Sequence, residues 1–136
     1  MYKKDFIESE IQKLAQVLSR IIGLKNEGNV DEAINVSNET LLEEFGLKRD
    51  ELEQNNLENF TEWLKQQNYS AEKLNLLGSI LFESIYPFTE TPEIFNVAHK
   101  VALVLNTLET EYHQQSFENL HRREQLDKFL SNLQYE

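Results

Sequence analysis

Apolar residues recur at intervals of three and four along most of this chain, which is the spacing of one face of an α-helix. The first stripe, with Ile7, Ile11, Leu14 and Leu18, predicts a helix that ends before Gly28. Similar stripes predict further helices over about residues 30–45, 57–67, 71–86, 92–112 and 117–133. The pattern does not decide whether the last two helices are continuous through residues 113–115. No segment alternates in the manner of a strand, so the pattern predicts an all-α protein.

The turn between the first two helices has a distinct set of residues. Gly28 suits the left-handed conformation that ends a helix, and Asn29 suits the N-cap of the next one. Glu32 would complete a capping box with Asn29. Ala33 is small enough for two helices to approach closely. Together these residues predict a tight helical hairpin.

Other helix ends are also marked. Gly46 fits the position after the second helix, where a Schellman ending would bring Leu47 against Leu42. Ser70 is the predicted N-cap of the fourth helix, and Thr91, followed by proline, is that of the fifth. These ends predict few and short connections between long helices.

The spacing from Gly28 to Ala33 resembles the turn of a tetratricopeptide repeat, a helical hairpin of about 34 residues. A second candidate unit starts near Leu74. It resembles the repeat pattern at three places, namely Leu77-Gly78, Leu81 and Ala102. The chain departs from the repeat pattern at Ile21, Val30 and Thr40, and its second turn is lengthened between residues 83 and 92.

The first third of the chain also resembles a small bacterial family of helical proteins. The similar segments are Asp-Phe-Ile at residues 5–7, Ile-Gln-Lys-Leu at 11–14, Ile-Ile-Gly-Leu-Lys at 21–25 and the Gly28 turn. This resemblance implies a tetratricopeptide-like fold and brings neither an activity nor site residues.

The prediction for the fold is therefore five to six antiparallel helices, stacked as tetratricopeptide-like hairpins in one domain over residues 1–136. An up-down helical bundle is the alternative. The expected organisation is a hairpin over about 4–46, a linker with a short helix over 47–69, a hairpin over about 70–112 and a C-terminal helix over 117–134.

The charge of the chain is unevenly distributed. Its formal net charge is −11, and the segment from Asp31 to Glu62 contributes ten acids and only two bases. Phosphate backbones and anionic membranes are bound by clustered Lys and Arg, so neither a nucleic acid nor a membrane is expected as a partner. The acidic segment is either a solvated surface or an attractive surface for a basic partner.

Cellular location is predicted from three features. The chain has no cysteine, which fits a reducing compartment. Its first residues lack the apolar core of a signal peptide, and no apolar run approaches the roughly 20 residues of a membrane helix. A cytoplasmic protein is expected.

One pair of residues has the spacing of a metal motif. Glu118 and His121 lie three apart and share a helix face, as in di-iron helical bundles. Such sites need a second Glu-x-x-His and further carboxylates, and neither His99 nor His113 has a Glu three residues before it. Phosphate-loop, dinucleotide and hydrolase motifs are absent from the sequence. No catalytic residue, metal ligand or cofactor is predicted.

Phe82, Tyr86 and Phe88 surround the two-proline turn after the fourth helix. If exposed, they would form an apolar patch suited to a partner, and they are the predicted partner-binding residues. The alternative is that Phe82 belongs to the core and the other two close the end of the helices. Trp63 and Phe60 have the same two interpretations.

The leading functional prediction is a non-enzymatic tetratricopeptide-like module for protein–protein interaction. Its partner would be a protein or peptide, including a basic one, and the exposed ends of a short helical stack also predict a homodimer. The first alternative is a helical-bundle enzyme or metal-binding protein that uses Glu118 and His121. The second is an acidic regulatory subunit that binds a basic peptide through residues 31–62.

Overall fold

In this computed structural model, residues 2–133 are described, with side chains described for residues 6–131. This range contains seven α-helices and no strand, so the predicted all-α class is confirmed. The helices are α1 (Tyr2–Asn26), α2 (Val30–Phe45), α3 (Arg49–Gln54), α4 (Leu57–Gln67), α5 (Ala71–Ile85), α6 (Pro92–Thr110) and α7 (Phe117–Leu133). The expected count of five to six is exceeded because the charged segment before α4 forms the six-residue helix α3.

The turn between α1 and α2 follows the prediction at Gly28 but not at Asn29. Gly28 has φ 87°, and the amides of Gly28 and Asn29 donate to the carbonyls of Lys25 and Leu24, which is a Schellman ending. Asn29 has φ −91° and ψ 60°, and its side chain makes no capping hydrogen bond. The predicted capping box is therefore wrong, because Asn29 closes α1 instead of adopting the extended conformation of an N-cap.

The other predicted helix ends are largely confirmed. Gly46 has φ 70°, and its amide donates to Leu42. The Leu47 amide donates to Leu41 O at 2.9 Å, one residue before the acceptor that a Schellman ending requires, so that detail is wrong. Ser70 accepts a hydrogen bond from the amide of Lys73, which makes it the N-cap of α5.

Helix α6 begins as predicted and is separate from α7. Thr91 Oγ1 accepts from the amide of Ile94, with Pro92 at the start of the helix. After Thr110 the chain turns through His113, at φ 54°, and Ser116 then caps α7 by accepting from the amide of Asn119. The open question about helix continuity is thus answered by a break of six residues.

Helix α5 is the centre of the fold. It packs on α1, α2 and α6, and Leu77, Ile80 and Leu81 are completely buried. Gly78 allows the close approach of α6, since a Cβ at this position would lie 3.0 Å from Val104 Cγ1. The apolar sequence of α5 therefore reflects burial on nearly all sides rather than on one face.

Helices α3 and α4 pack on α6, and two polar side chains of α6 attach α3. The buried Lys100 Nζ donates to Leu52 O and to Asn55 O, the latter at 2.6 Å. Asn96 Nδ2 donates to Glu53 O at 2.8 Å and to Asn55 O at 2.9 Å. Burial lowers the pKa of Lys100. These bonds satisfy the carbonyls at the C-terminal end of a very short helix.

Within the range that the structure describes, no helix is both long enough and apolar enough to cross a membrane.

Candidate functional site

A cleft of about 310 Å³ is lined by residues of α1, of the C-terminal end of α5 and of α7. The floor is made by Phe82 and Glu83 of α5, which are both buried. The remaining lining residues are Ile22, Lys25 and Asn26 of α1, Tyr86 after α5, and Glu118, His121, Arg122 and Gln125 of α7. The cleft thus combines apolar side chains with charged groups of both signs.

Lys25 and Glu83 join α1 to the end of α5. Lys25 Nζ lies 2.9 Å from Glu83 Oε1, and it also donates to the carbonyls of Glu83 and Tyr86 at 2.8 and 2.6 Å. It lies 5.4 Å from the centre of the Tyr86 ring. Both charged side chains are largely buried. The lysine thus caps the C-terminal end of α5 and neutralises a carboxylate in the floor of the cleft.

Arg122 forms the α7 side of the cleft. It is only 9% exposed, and its Nη1 donates to Asn119 Oδ1 at 3.0 Å. Asn119 Nδ2 in turn donates to Asn75 Oδ1 at 2.7 Å, which links the guanidinium to α5. Burial lowers the pKa of Arg122, while the negative charges of Glu83 and Glu118 oppose that change. The cleft therefore contains a second, mostly buried cation, which comes from α7 whereas Lys25 comes from α1.

The three predicted partner-binding aromatics form one cluster, of which Phe82 and Tyr86 line the cleft and Phe88 does not. The Phe82 and Tyr86 rings stack with centroids 5.3 Å apart, and Phe88 meets both rings edge-on. Phe88 also stacks on Phe129 of α7, which stacks on Phe95. Phe82 is core, Phe88 is half-buried, and Tyr86 is 37% exposed. Tyr86 is thus the only one of the three whose ring lies at the mouth of the cleft.

Trp63 and Phe60 lie on α4 and do not line this cleft. Phe60 is buried and Trp63 is half-buried, with their ring centroids 5.5 Å apart. They belong to the packing of α4 and α6 with the connection at Tyr69, whose ring lies 6.2 Å from that of Trp63.

Glu118 and His121 both line the cleft from α7, and both are exposed. Their shared helix face is the one that the spacing predicted. Among the described residues, however, no group of three or more His, Cys, Asp or Glu side chains is arranged to hold a metal ion. The structure therefore adds no third ligand to this pair.

The acidic segment lies apart from the cleft, on the outer sides of α2, α3 and α4. Helix α2 contains five acids and no base. Glu44 is paired with Lys13 at 2.7 Å, and Glu53 with Arg49 at 3.1 Å. The other acids of the segment are exposed, namely Asp31, Glu32, Glu39, Glu43, Asp50, Glu51, Glu58 and Glu62.

Among the charged residues of the cleft, sequence reasoning named Glu118 but missed Lys25, Glu83 and Arg122, although two of these three had a signal. Glu83 is an acid within the most apolar helix, at a position that faces the interior. Arg122 lies four residues before Leu126 and seven before Phe129, on the buried stripe of α7. Lys25 had no such signal, since a base in the last turn of a helix is common.

No protein-family model, curated protein or solved structure matches this chain. The resemblance to tetratricopeptide repeats therefore stays a prediction, and the geometry of the cleft is the basis for a functional proposal.

Proposed function

We propose that this chain is a non-enzymatic, tetratricopeptide-like interaction module that binds a peptide segment in the cleft between α1, α5 and α7. The single observation that carries the proposal is this cleft, which is lined by residues of α1, α7 and the C-terminal end of α5. A groove of that kind is the common binding surface of stacked helical hairpins.

The helix neighbours support stacked hairpins over an up-down bundle. Helix α5 packs on both α1 and α2, and α1 packs on α2. In a four-helix square made of α1, α2, α5 and α6, the pair α1 and α5 would be diagonal and separated. In a stack, the first helix of one hairpin contacts both helices of the hairpin before it. The extensive contact between α1 and α5 is thus a feature of stacking.

The chemistry of the cleft supports binding over catalysis. Lys25 and Glu83 are paired with each other, and the lysine also holds two backbone carbonyls. Charged groups committed to the structure in this way are poor candidates for proton transfer. Ile22 and the Tyr86 ring are exposed at the mouth, where they offer apolar area to a partner.

The charge of the chain favours a basic partner. The net charge is −11, and the exposed acids of α2 add a negative field near the stack without a base on the same helix. Such a field raises the association rate of a cationic peptide and does so less as salt increases. Because the exposed acids of α2 lie outside the cleft, the expected ligand is a peptide whose apolar anchor enters the cleft and whose Lys or Arg residues lie outside it.

A displayed library of random peptides, selected on the folded chain, tests the proposal directly. Selected peptides should bind the wild-type chain in fluorescence anisotropy. Ile22→Asp, which changes an exposed residue of the cleft, should weaken binding about tenfold or more, because it places a charge against the apolar anchor.

Leu42→Asp is the matched control for this experiment. Leu42 is an exposed apolar residue on α2 and does not line the cleft, so this variant should retain wild-type affinity. A selection that yields no peptide, or peptides whose affinity is lost in Leu42→Asp and retained in Ile22→Asp, would contradict the proposal.

The proposal includes a homodimer formed through the end helices. Phe6 on α1 is 73% exposed and Phe117 on α7 is 89% exposed, and pairing two copies would remove such side chains from water. Sedimentation velocity should show a dimer for the wild-type chain and a shift toward monomer for Phe117→Ser. A wild-type monomer at high micromolar concentration would refute this part of the proposal and leave peptide binding to be judged separately.

A further inference from the structure

A second cavity has no lining residue in common with the cleft. Its volume is about 330 Å³, and it is bounded by α4, the connection at Asn68 and Tyr69, and the C-terminal end of α6. Leu64 of α4 and Leu74 of α5 are buried at its base, and Leu103 of α6 is half-buried beside them. The base of the cavity is therefore an apolar surface.

Three threonines line the cavity, and each uses its only hydroxyl proton within its own helix. Thr61 Oγ1 donates to Leu57 O at 2.7 Å, Thr107 Oγ1 to Leu103 O at 2.8 Å, and Thr110 Oγ1 to Asn106 O at 2.9 Å. A hydroxyl that has donated its proton can only accept further hydrogen bonds. The three threonine hydroxyls thus offer only acceptors to a ligand, which suits N–H donors.

Two opposite charges lie among the lining residues and do not neutralise each other. Lys65 and Glu111 are both exposed, and neither forms an ion pair with any described residue. Glu111 is the C-cap of α6, whose last turn has no base. The negative end of the helix dipole therefore adds to the charge of Glu111 and attracts a cation to this end of the cavity.

The walls are built before any ligand arrives. The hydroxyl of Tyr112 donates to Tyr69 O at 2.8 Å, which ties the segment after α6 to the connection before α5. The Tyr69 ring meets Phe45 edge-on at 5.8 Å, and Lys73 Nζ lies 4.5 Å from its centre. A preformed cavity lowers the entropy cost of binding a small ligand.

We propose that this cavity binds a free α-amino acid with an apolar side chain. The ligand carboxylate would pair with Lys65, and the ammonium group would pair with Glu111 and donate to the threonine oxygens. The apolar side chain would lie on the leucine surface at the base. A cavity of about 330 Å³ is large enough for such a ligand. This site is independent of the peptide cleft and of the function proposed for it.

The test uses four small ligands that differ by one group each. Leucine contains all three recognition groups, N-acetyl-leucine lacks the ammonium, leucinamide lacks the carboxylate, and glycine lacks the apolar side chain. In NMR titrations of the whole chain, leucine should shift backbone amides of residues 61–69 and 103–112. Each of the other three ligands should bind about tenfold more weakly, the usual consequence of removing one charge-assisted or apolar contact.

Two charge-removing variants identify the partner of each ligand group. Lys65→Gln should lower the affinity for leucine about tenfold and leave the affinity for leucinamide unchanged. Glu111→Gln should weaken leucine to a similar degree and leave the affinity for N-acetyl-leucine unchanged. Lys48→Gln and Glu90→Gln make the same charge changes at exposed positions outside the cavity, and both should bind like wild type.

Each of the following outcomes would overturn the proposal. The first is the absence of amide shifts in residues 61–69 and 103–112 at millimolar leucine. The second is equal affinity for leucine and leucinamide, which would indicate a simple amine site. The third is wild-type affinity for leucine in both Lys65→Gln and Glu111→Gln. All four variants change exposed side chains, so unfolding is not expected to obscure the result.

Discussion

Helices α5 and α7 are of similar length but have very different surroundings. Eleven of the 15 residues of α5 are buried, including Gly78 and Glu83. In α7, Arg122, Leu126 and Phe129 are the buried residues within the part of the helix whose side chains the structure describes. Helix α5 packs on three other helices, whereas the extensive contacts of α7 are with α6.

This difference separates stability from recognition. Because α5 is enclosed, it couples α1, α2 and α6 into one core, and damage to it should be felt by the whole chain. Because α7 packs on one side, its other surfaces are free to form a wall of the cleft and an exposed end.

Leu77 of α5 and Leu126 of α7 are both completely buried. Leu77→Ala should lower the free energy of unfolding by about 4 kcal/mol, because its enclosed site cannot close around the cavity. Leu126→Ala should cost only about 2 kcal/mol, because α7 can shift toward α6. Urea denaturation of both variants measures the difference, and an equal or greater loss for Leu126→Ala would show that α7 is as rigidly packed as α5.

The ion pairs of the two helices should also differ. Lys25→Met removes the partner of the buried Glu83 carboxylate and two bonds to the end of α5, and we expect a loss of about 2 kcal/mol. Lys128→Met breaks the exposed pair with Glu124 on α7 and should change stability by less than about 0.5 kcal/mol. Thermal unfolding of both variants in one buffer is the measurement. Similar decreases in melting temperature for Lys25→Met and Lys128→Met would refute the expected difference between the two ion pairs.

Glycines provide the third comparison. Gly78→Ala gains helix propensity, but its new methyl group meets Val104 at 3.0 Å, so a net loss of about 1 kcal/mol is expected. Gly23→Ala in α1 meets nothing within 4 Å and should gain about 0.5 to 1 kcal/mol. Chemical denaturation measures the change in unfolding free energy in each variant. A loss in Gly78→Ala together with a gain in Gly23→Ala would support a close approach of α5 and α6. A stabilising Gly78→Ala would mean that α6 can move away without cost.

The two serine caps should produce the smallest effects. Ser70 caps α5 and Ser116 caps α7, each through one bond to a backbone amide. In both alanine variants, the free energy that stabilises the capped helix should fall by about 1 kcal/mol or less. In hydrogen exchange, Ser70→Ala should speed exchange across the core, and Ser116→Ala should do so only in the first turns of α7. Faster hydrogen exchange throughout the core in Ser116→Ala would contradict the expectation that α7 opens without disturbing the core.

Much of the fold was predictable because helix stripes and ends are local properties. The positions of α2, α4, α5 and α6, and the roles of Gly28, Gly46, Ser70 and Thr91, follow from residues close to each other in the chain. The errors have a common cause. Asn29 could cap α2 or close α1, and the choice depends on the preceding turn rather than on the propensity of Asn.

The cleft was much less predictable. Phe82 and Tyr86 were identified as a cluster because they are near in sequence, but the cation that lies over the Tyr86 ring comes from Lys25, 61 residues earlier. Arg122 reaches the same cleft from another helix. A charged side chain on a helix is usually solvated, so its residue type assigns it to the surface even where the periodicity of the helix, as at Arg122, places it on the buried stripe.

The sequence by itself determined the all-α class, the positions of most helix ends and the excess of acid in residues 31–62, because these properties depend on neighbours within a few residues. Only the tertiary structure decided which helices meet. It brought Lys25 to Glu83, Lys100 to the end of α3, and Lys65 and Glu111 to one cavity. Contacts between residues of different helices depend on the direction of each helix after the turn that precedes it. Small differences in the conformation of a turn therefore change the positions of residues far along the chain.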